Sequence, residues 1–168
     1  RPEFHQAALM GNPELVKRLM PAPASIDEYD SMGFAAIHWA ASAAMGDPAA
    51  TLKVLLQAGA DPNLPHQTAN MTPLFFASSA DIVNILVDSG AHIEYKSVEE
   101  TKPLYHAKTV EVLKALLARG SDKNSRNQLG HTAKEHFELI LIHAEKDPSL
   151  ISVIYIYKDM IAAIDGST

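Results

Sequence analysis

The chain has 168 residues, of which 47% are hydrophobic and 20% charged, with a formal net charge of −6. That composition suits one ordinary globular unit, and the absence of cysteine excludes a disulfide framework, a thiolate zinc site and a cysteine nucleophile. Residues 1–90 hold 4 Lys/Arg against 9 Asp/Glu and residues 91–168 hold 10 against 11, so no dense basic stripe offers itself to nucleic acid or to an anionic membrane. No apolar run approaches the roughly 18–20 residues of a membrane span, and no secretory-type start is present. Zero cysteines suit a reducing compartment, so a cytoplasmic location is expected. A first residue of Arg1 rather than Met fits a fragment or a processed product.

In chain order, Phe4-His5-Gln6-Ala7-Ala8 opens a helix, and Leu15, Val16 and Leu19 continue at helical spacing until Pro21 and Pro23 interrupt. Ala35-Ala36-Ile37-His38-Trp39-Ala40-Ala41 begins a second pair, carried on by Leu52, Val54, Leu55 and Leu56. It closes with Gly59-Ala60-Asp61-Pro62-Asn63, the glycine being suited to a left-handed helix terminus. Thr72-Pro73-Leu74-Phe75-Phe76-Ala77 predicts a third start, with Thr72 as N-cap and Pro73 at the first helical position. Ile82, Val83, Ile85 and Leu86 follow, ending in Gly90-Ala91-His92-Ile93-Glu94. Lys102-Pro103-Leu104-Tyr105-His106-Ala107 starts a fourth pair, with Val112, Leu113, Leu116 and Leu117 before Gly120-Ser121-Asp122-Lys123-Asn124. Thr132-Ala133-Lys134-Glu135-His136 opens a degenerate fifth. Asp147 as N-cap and Pro148 then introduce a last helix that is apolar nearly all round, from Leu150 and Ile151 to Ile161 and Ile164.

Taking Phe4, Ile37, Leu74, Leu104 and Lys134 as equivalent gives spacings of 33, 37, 30 and 30 residues. A period near 33, a Thr-Pro-Leu-His-x-Ala-like helix start and a Gly-Ala-Asp-x-Asn-like ending together resemble ankyrin repeats, over about residues 2–145. The resemblance implies an all-α ankyrin-type helical repeat solenoid with short hairpin tips and an extra C-terminal helix. One helix pair cannot hide its apolar face alone, whereas stacked pairs share a continuous core. The second unit has about three extra residues, expected within 43–50; the third and fourth lack about three, so 78–81 and 108–109 must turn sharply. The organisation expected is a stack over 1–146 and a helix over 147–168 that either caps it or docks on a second domain or subunit.

The search for chemistry yields little. His5, His38, His66, His92, His106, His131, His136 and His143 are scattered, without His-Glu-x-x-His spacing, so no metal site is expected. The resemblance implies that His5 and His38 bond nearby backbone. No Gly-x-Ser-x-Gly elbow or phosphate-binding glycine loop occurs. Asp27/Glu28 and Glu99/Glu100 read as solvated turn charges, since paired catalytic carboxylates need contrasting environments. Asn70-Met71-Thr72 matches a glycosylation sequon, but it falls where a helix start must pack. No catalysis and no cofactor are expected.

The resemblance implies protein recognition through a concave face of hairpin tips and first helices. The candidate positions are Tyr29, Ser31, Met32, Phe34 and Ser42 in the second unit, and Thr68 and Met71 before the third. Val98, Glu99 and Thr101 precede the fourth, and Gln128, Leu129 and His131 the fifth. Tyr29, Met32 and Phe34 form the leading cluster, because aromatic residues and Met are enriched at interfaces; tucking of Phe34 or Met32 beneath a neighbouring tip is the competing reading. Trp39 is expected in the core. The partner expected is a protein, without nucleic acid or membrane insertion. Two alternatives stand beside this: a targeting or regulatory arm of a larger catalytic protein, of the sort bacterial effectors use in a host cytosol, and a structural unit self-assembling through the last helix.

Overall fold

The computed structural model describes residues 2–166, whose regular secondary structure is helical apart from one isolated bridge between Tyr29 and Ala35. The helices are α1 (Glu3–Leu9), α2 (Pro13–Arg18), α3 (Ala36–Ser42), α4 (Pro48–Gln57), α5 (Ala80–Asp88), α6 (Val110–Ala118), α7 (Ala133–Ala144) and α8 (Ile151–Asp165). They form two rows. The inner row runs α1, α3, the 3-10 turns Pro73–Phe76 and Pro103–His106, then α7; the outer row runs α2, α4, α5, α6, α8. Each member packs on the next in its row, so five pairs stack.

Burial explains the stacking. Ala7, Ala8, Ala36, Ala40 and Ala41 are all fully buried, and their small side chains bring α1 and α3 into close contact. In the outer row Val16, Leu52, Leu55, Ile82, Val83, Leu86, Val112, Leu113 and Leu116 are buried in one core shared between neighbours. Four outer helices begin on side-chain caps: Asn12, Asp47, Ser79 and Thr109 accept from the backbone N–H of Leu15, Ala50, Ile82 and Val112.

In the first three units the residue that ends the repeat motif braces the next repeat. The Asp27 carboxylate accepts from Asp61 N, Asn63 Oδ1 accepts from His92 N at 2.7 Å, and Glu94 Oε1 accepts from Asp122 N at 3.0 Å. Three different side chains thus perform one task, satisfying a backbone donor across the seam.

Two expectations are corrected. The Thr72-Pro73 and Lys102-Pro103 starts give single 3-10 turns rather than helices, and Thr72 makes no capping hydrogen bond. The chain turns extended at Ala77 (ψ 122°) and Ala107 (ψ 128°), and Ser79 or Thr109 must cap the outer helix two residues later. The shortened units therefore lose the second turn of the inner helix. The sharp turns anticipated at 78–81 and 108–109 fall over 77–79 and 107–109, with Ala80 and Asp81 already part of α5.

Asp147 accepts from Ser149 N at 2.9 Å and starts the 3-10 turn Pro148–Leu150, after which α8 begins. Helix α8 lies along α7 and packs on α6, with Met160 and Ile164 buried and Tyr157 5.6 Å from Phe137, ring to ring. It holds the outer place of the fifth pair, so residue 147 lies inside that pair. Its far side leaves Ile151 and Tyr155 59% and 64% exposed.

Candidate protein-binding surface

Each hairpin tip is closed by the side chain of its first residue. Asp30 Oδ1 accepts from Met32 N and Phe34 N; His66 Nδ1 accepts from Thr68 N and Ala69 N. Ser97 Oγ accepts from Glu99 N, and Asn127 Oδ1 accepts from Leu129 N and His131 N. The turn of each tip needs one left-handed residue, filled by Gly33, Asn70, Glu100 and Gly130. Backbone hydrogen bonds then join tip to tip: Gln67 N to Gly33 O, Val98 N to Ala69 O, and Gln128 N to Glu99 O, at 3.1–3.3 Å. The tips form one ribbon in fixed register along an edge of the stack.

On this ribbon the candidate residues divide. Ser31, Met32, Thr68, Val98, Glu99, Gln128 and Leu129 are exposed, with Met32 at 56%, Val98 at 60% and Leu129 at 77%. Between the last two tips lies a hollow of about 260 Å³, bordered by Glu99, Gln128 and Leu129.

Others are occupied by the fold. Thr101 is buried, its hydroxyl 2.7 Å from Ser97 Oγ and 2.8 Å from His106 Nε2, and it reaches the surface only at the wall of that hollow. Phe34 is half-buried in an aromatic cluster, its ring centroid 4.2 Å from His66, 4.7 Å from Trp39 and 5.4 Å from Phe76. Tyr29 is half-buried and donates its hydroxyl to Pro65 O at 2.8 Å. Ser42 returns its hydroxyl to Trp39 O at 3.0 Å. Met71 and His131 are half-buried. Trp39 is half-buried rather than in the core, and its indole N–H donates to Asp30 Oδ2 at 3.0 Å. The three large apolar groups between repeats thus split: Met32 outward, Phe34 and Tyr29 into the joint.

The histidines serve this framework. His38 Nδ1 accepts from Ala35 N, and His5 Nε2 donates to Glu28 O in the following unit. His66 Nε2 donates to Met32 O, tying the second tip to the first. At the position of His5 and His38 the fourth unit has Tyr105, whose hydroxyl sits 2.7 Å from the carbonyl oxygens of Ser125 and His131, and the fifth has Glu135, which completes a capping box with Thr132. Burial holds His38 and His106 at about 4, well below the ordinary imidazole value, with His66 and His136 respectively adding to the effect. Among the described residues no group of three or more His, Asp or Glu is placed to hold a metal ion, and no helix is long and apolar enough to cross a membrane.

Reading along the chain missed the inner surface around His136. That residue borders the hollow between the tips and two further hollows beside α7. No motif marks it, because the gap arises from missing residues in the fourth unit rather than from those present.

The family model for ankyrin repeats, three copies, matches residues 4–97 and 37–127. Comparison with curated protein sequences finds no match. The family match covers most of the chain, the helix pairs stack in the order the repeat requires, and the seam residues brace successive units; the chain belongs to the ankyrin-repeat family.

Proposed function

We propose that this chain is a non-catalytic recognition module that binds a protein partner through the hairpin ribbon and the inner row beside it, in a reducing compartment such as the cytoplasm. Repeats of this family are generally protein–protein interaction modules. The observation that carries the reading here is the exposure of Met32, Val98 and Leu129 along a ribbon whose backbone is fixed by tip-to-tip hydrogen bonds. Large apolar side chains on a rigid edge, on the first, third and fourth of its tips, match the anchors through which interfaces gain most of their energy. Met32 and Leu129 occupy equivalent places in their turns, and Glu99 is the equivalent residue of the tip next to Leu129.

Among the described residues the shorter of two hydroxyl–imidazole contacts, Thr101 with His106 at 2.8 Å against Thr68 with His66 at 3.5 Å, supports recognition over chemistry. Thr101 is buried, and its hydroxyl already meets Ser97 Oγ. A nucleophile needs an exposed oxygen and a third group orienting the base.

The test is affinity capture from cytosolic extract with the chain and with a Met32→Ala/Leu129→Ala double variant. Both residues are exposed, so the variant should unfold at the same temperature as the parent. A protein retained by the parent and lost by the variant supports the reading; equal retention removes the ribbon from it.

A further inference from the structure

The inner row is uneven in length. The turn Pro103–His106 has four residues and α7 has 12. At about 2.0 Å and 1.5 Å rise per residue these span roughly 8 Å and 18 Å, so the far half of α7 has no inner-row neighbour on the fourth-unit side. There the surface carries a hollow of about 430 Å³ lined by His106 and Lys108 from the fourth unit, His136 and Ile140 from α7, and Val153 and Ile156 from α8, among others. A second hollow of about 350 Å³ shares His136, Ile140 and Val153 with it and runs on along α7 to Leu139 and His143 and across to Leu150. The two make one trough. Ile156, Leu139 and Leu150 are 41%, 40% and 37% exposed along it.

The charge of this trough runs against that of the chain. The protein carries a net charge of −6, yet no aspartate or glutamate lines either hollow. Lys108 is the charged lining residue, while burial holds the imidazoles of His106 and His136 toward their neutral form. An apolar floor with a cationic edge, in the volume a helical turn would fill, sets the chemistry of an occupant: a helix with apolar side chains at three- and four-residue spacing and a carboxylate beside them.

We propose that this trough is a docking site for an acidic amphipathic helix of a partner protein, seated where the fourth unit lacks its second inner turn, with apolar side chains against Ile140, Val153 and Ile156 and a carboxylate on Lys108. It adjoins the hollow between the last two tips at His136 but does not depend on the hairpin ribbon binding anything.

The experiment selects phage-displayed random peptides of about 15 residues against the whole chain. The enriched sequences are then synthesised and measured by fluorescence anisotropy against the parent, Ile156→Glu, Lys108→Glu and the Met32→Ala/Leu129→Ala variant. Ile156 and Lys108 are both exposed, so urea unfolding of their variants should match the parent. The expected peptides carry Asp or Glu beside apolar residues at helical spacing and gain helical circular dichroism on binding. Their affinity falls at least about tenfold with Ile156→Glu. It falls about threefold with Lys108→Glu, with a weaker salt dependence. No enrichment, enrichment without acidic residues, or affinities that neither trough variant moves would overturn the proposal. Peptides lost only with Met32→Ala/Leu129→Ala would also overturn it while supporting the ribbon. A parent that dimerises at micromolar concentration, beside an Ile156→Glu variant that stays monomeric, would assign the trough to a second copy, against the proposal.

Discussion

Gly11 and Gly46 meet backbone to backbone. Asp47 N donates to Gly11 O at 2.7 Å, and a Cβ on Gly46 would stand 2.4 Å from the carbonyl oxygens of both Met10 and Gly11. The extra residues of the second unit, 43–47, thus reach back onto the loop between α1 and α2 and lock the first two repeats together.

Gly46→Ala is expected to destabilise the chain by about 2–4 kcal/mol, because a left-handed φ of 67° is combined with a clash against rigid backbone. Gly59→Ala is the control: its φ is 96°, but nothing lies within 4 Å of the added carbon, so about 1–2 kcal/mol of conformational strain is all it should cost. Urea unfolding of the two variants against the parent measures the difference. Equal losses would mean that the loop moves aside and the contact holds nothing.

Phe34→Ala should cost about 2–3 kcal/mol, since it empties the centre of the aromatic cluster formed with His66, Trp39 and Phe76. Met32→Ala and Leu129→Ala should stay within about 0.5 kcal/mol, as exposed side chains do. Thermal unfolding of the three variants separates joint from surface. The sequence pattern groups Phe34 with Met32 in one candidate binding cluster; a Phe34→Ala midpoint equal to the parent's would return Phe34 to it.

Acid should weaken the fold before its carboxylates titrate. His38 and His106 sit at about 4 when folded and near 6.5 when free, so between those values the unfolded chain binds more protons. Stability from these two groups is complete above about pH 6.5, falls as pH drops, and levels off below about 4, at a cost on the order of 3 kcal/mol per histidine. Denaturant unfolding at pH 7.5, 5.5 and 4.5 reads it. A flat profile from 7.5 to 4.5 would show that neither imidazole is held neutral by burial.

Asn63 bridges the second and third repeats twice, accepting from His92 N and donating to Gly90 O at 2.9 Å. Asn63→Ala should cost about 1–2 kcal/mol. Asn124 ends the same motif in the fourth unit, after which no further copy of the motif follows among the described residues for it to brace, and Asn124→Ala should stay within about 0.5 kcal/mol. Equal effects in denaturant titrations would deny that the motif's last residue acts across the seam.

What was legible in the sequence was periodic. Helix pairs, their order, the buried outer stripe and the sharp turns near 78–81 and 108–109 follow from apolar spacing, glycine and proline, because those signals act within one repeat. The candidate surface was legible only as a set of positions. Chain position puts Thr101 and Val98 on the same tip, yet one is buried against His106 and the other points outward, since exposure depends on the neighbouring unit.

The sequence by itself determined the repeat and its family, because a 33-residue rhythm of helix starts and glycine endings has one stable way to bury its apolar face: by stacking. Tertiary structure alone decided what lies between repeats. It set Phe34 into a joint and left Met32 outside it, gave α8 to the fifth pair, and opened the trough beside His136 by taking a turn from the fourth unit. These outcomes depend on contacts between residues about 30 positions apart, and on the length difference between adjacent inner elements. Neither quantity exists until the repeats are packed against one another.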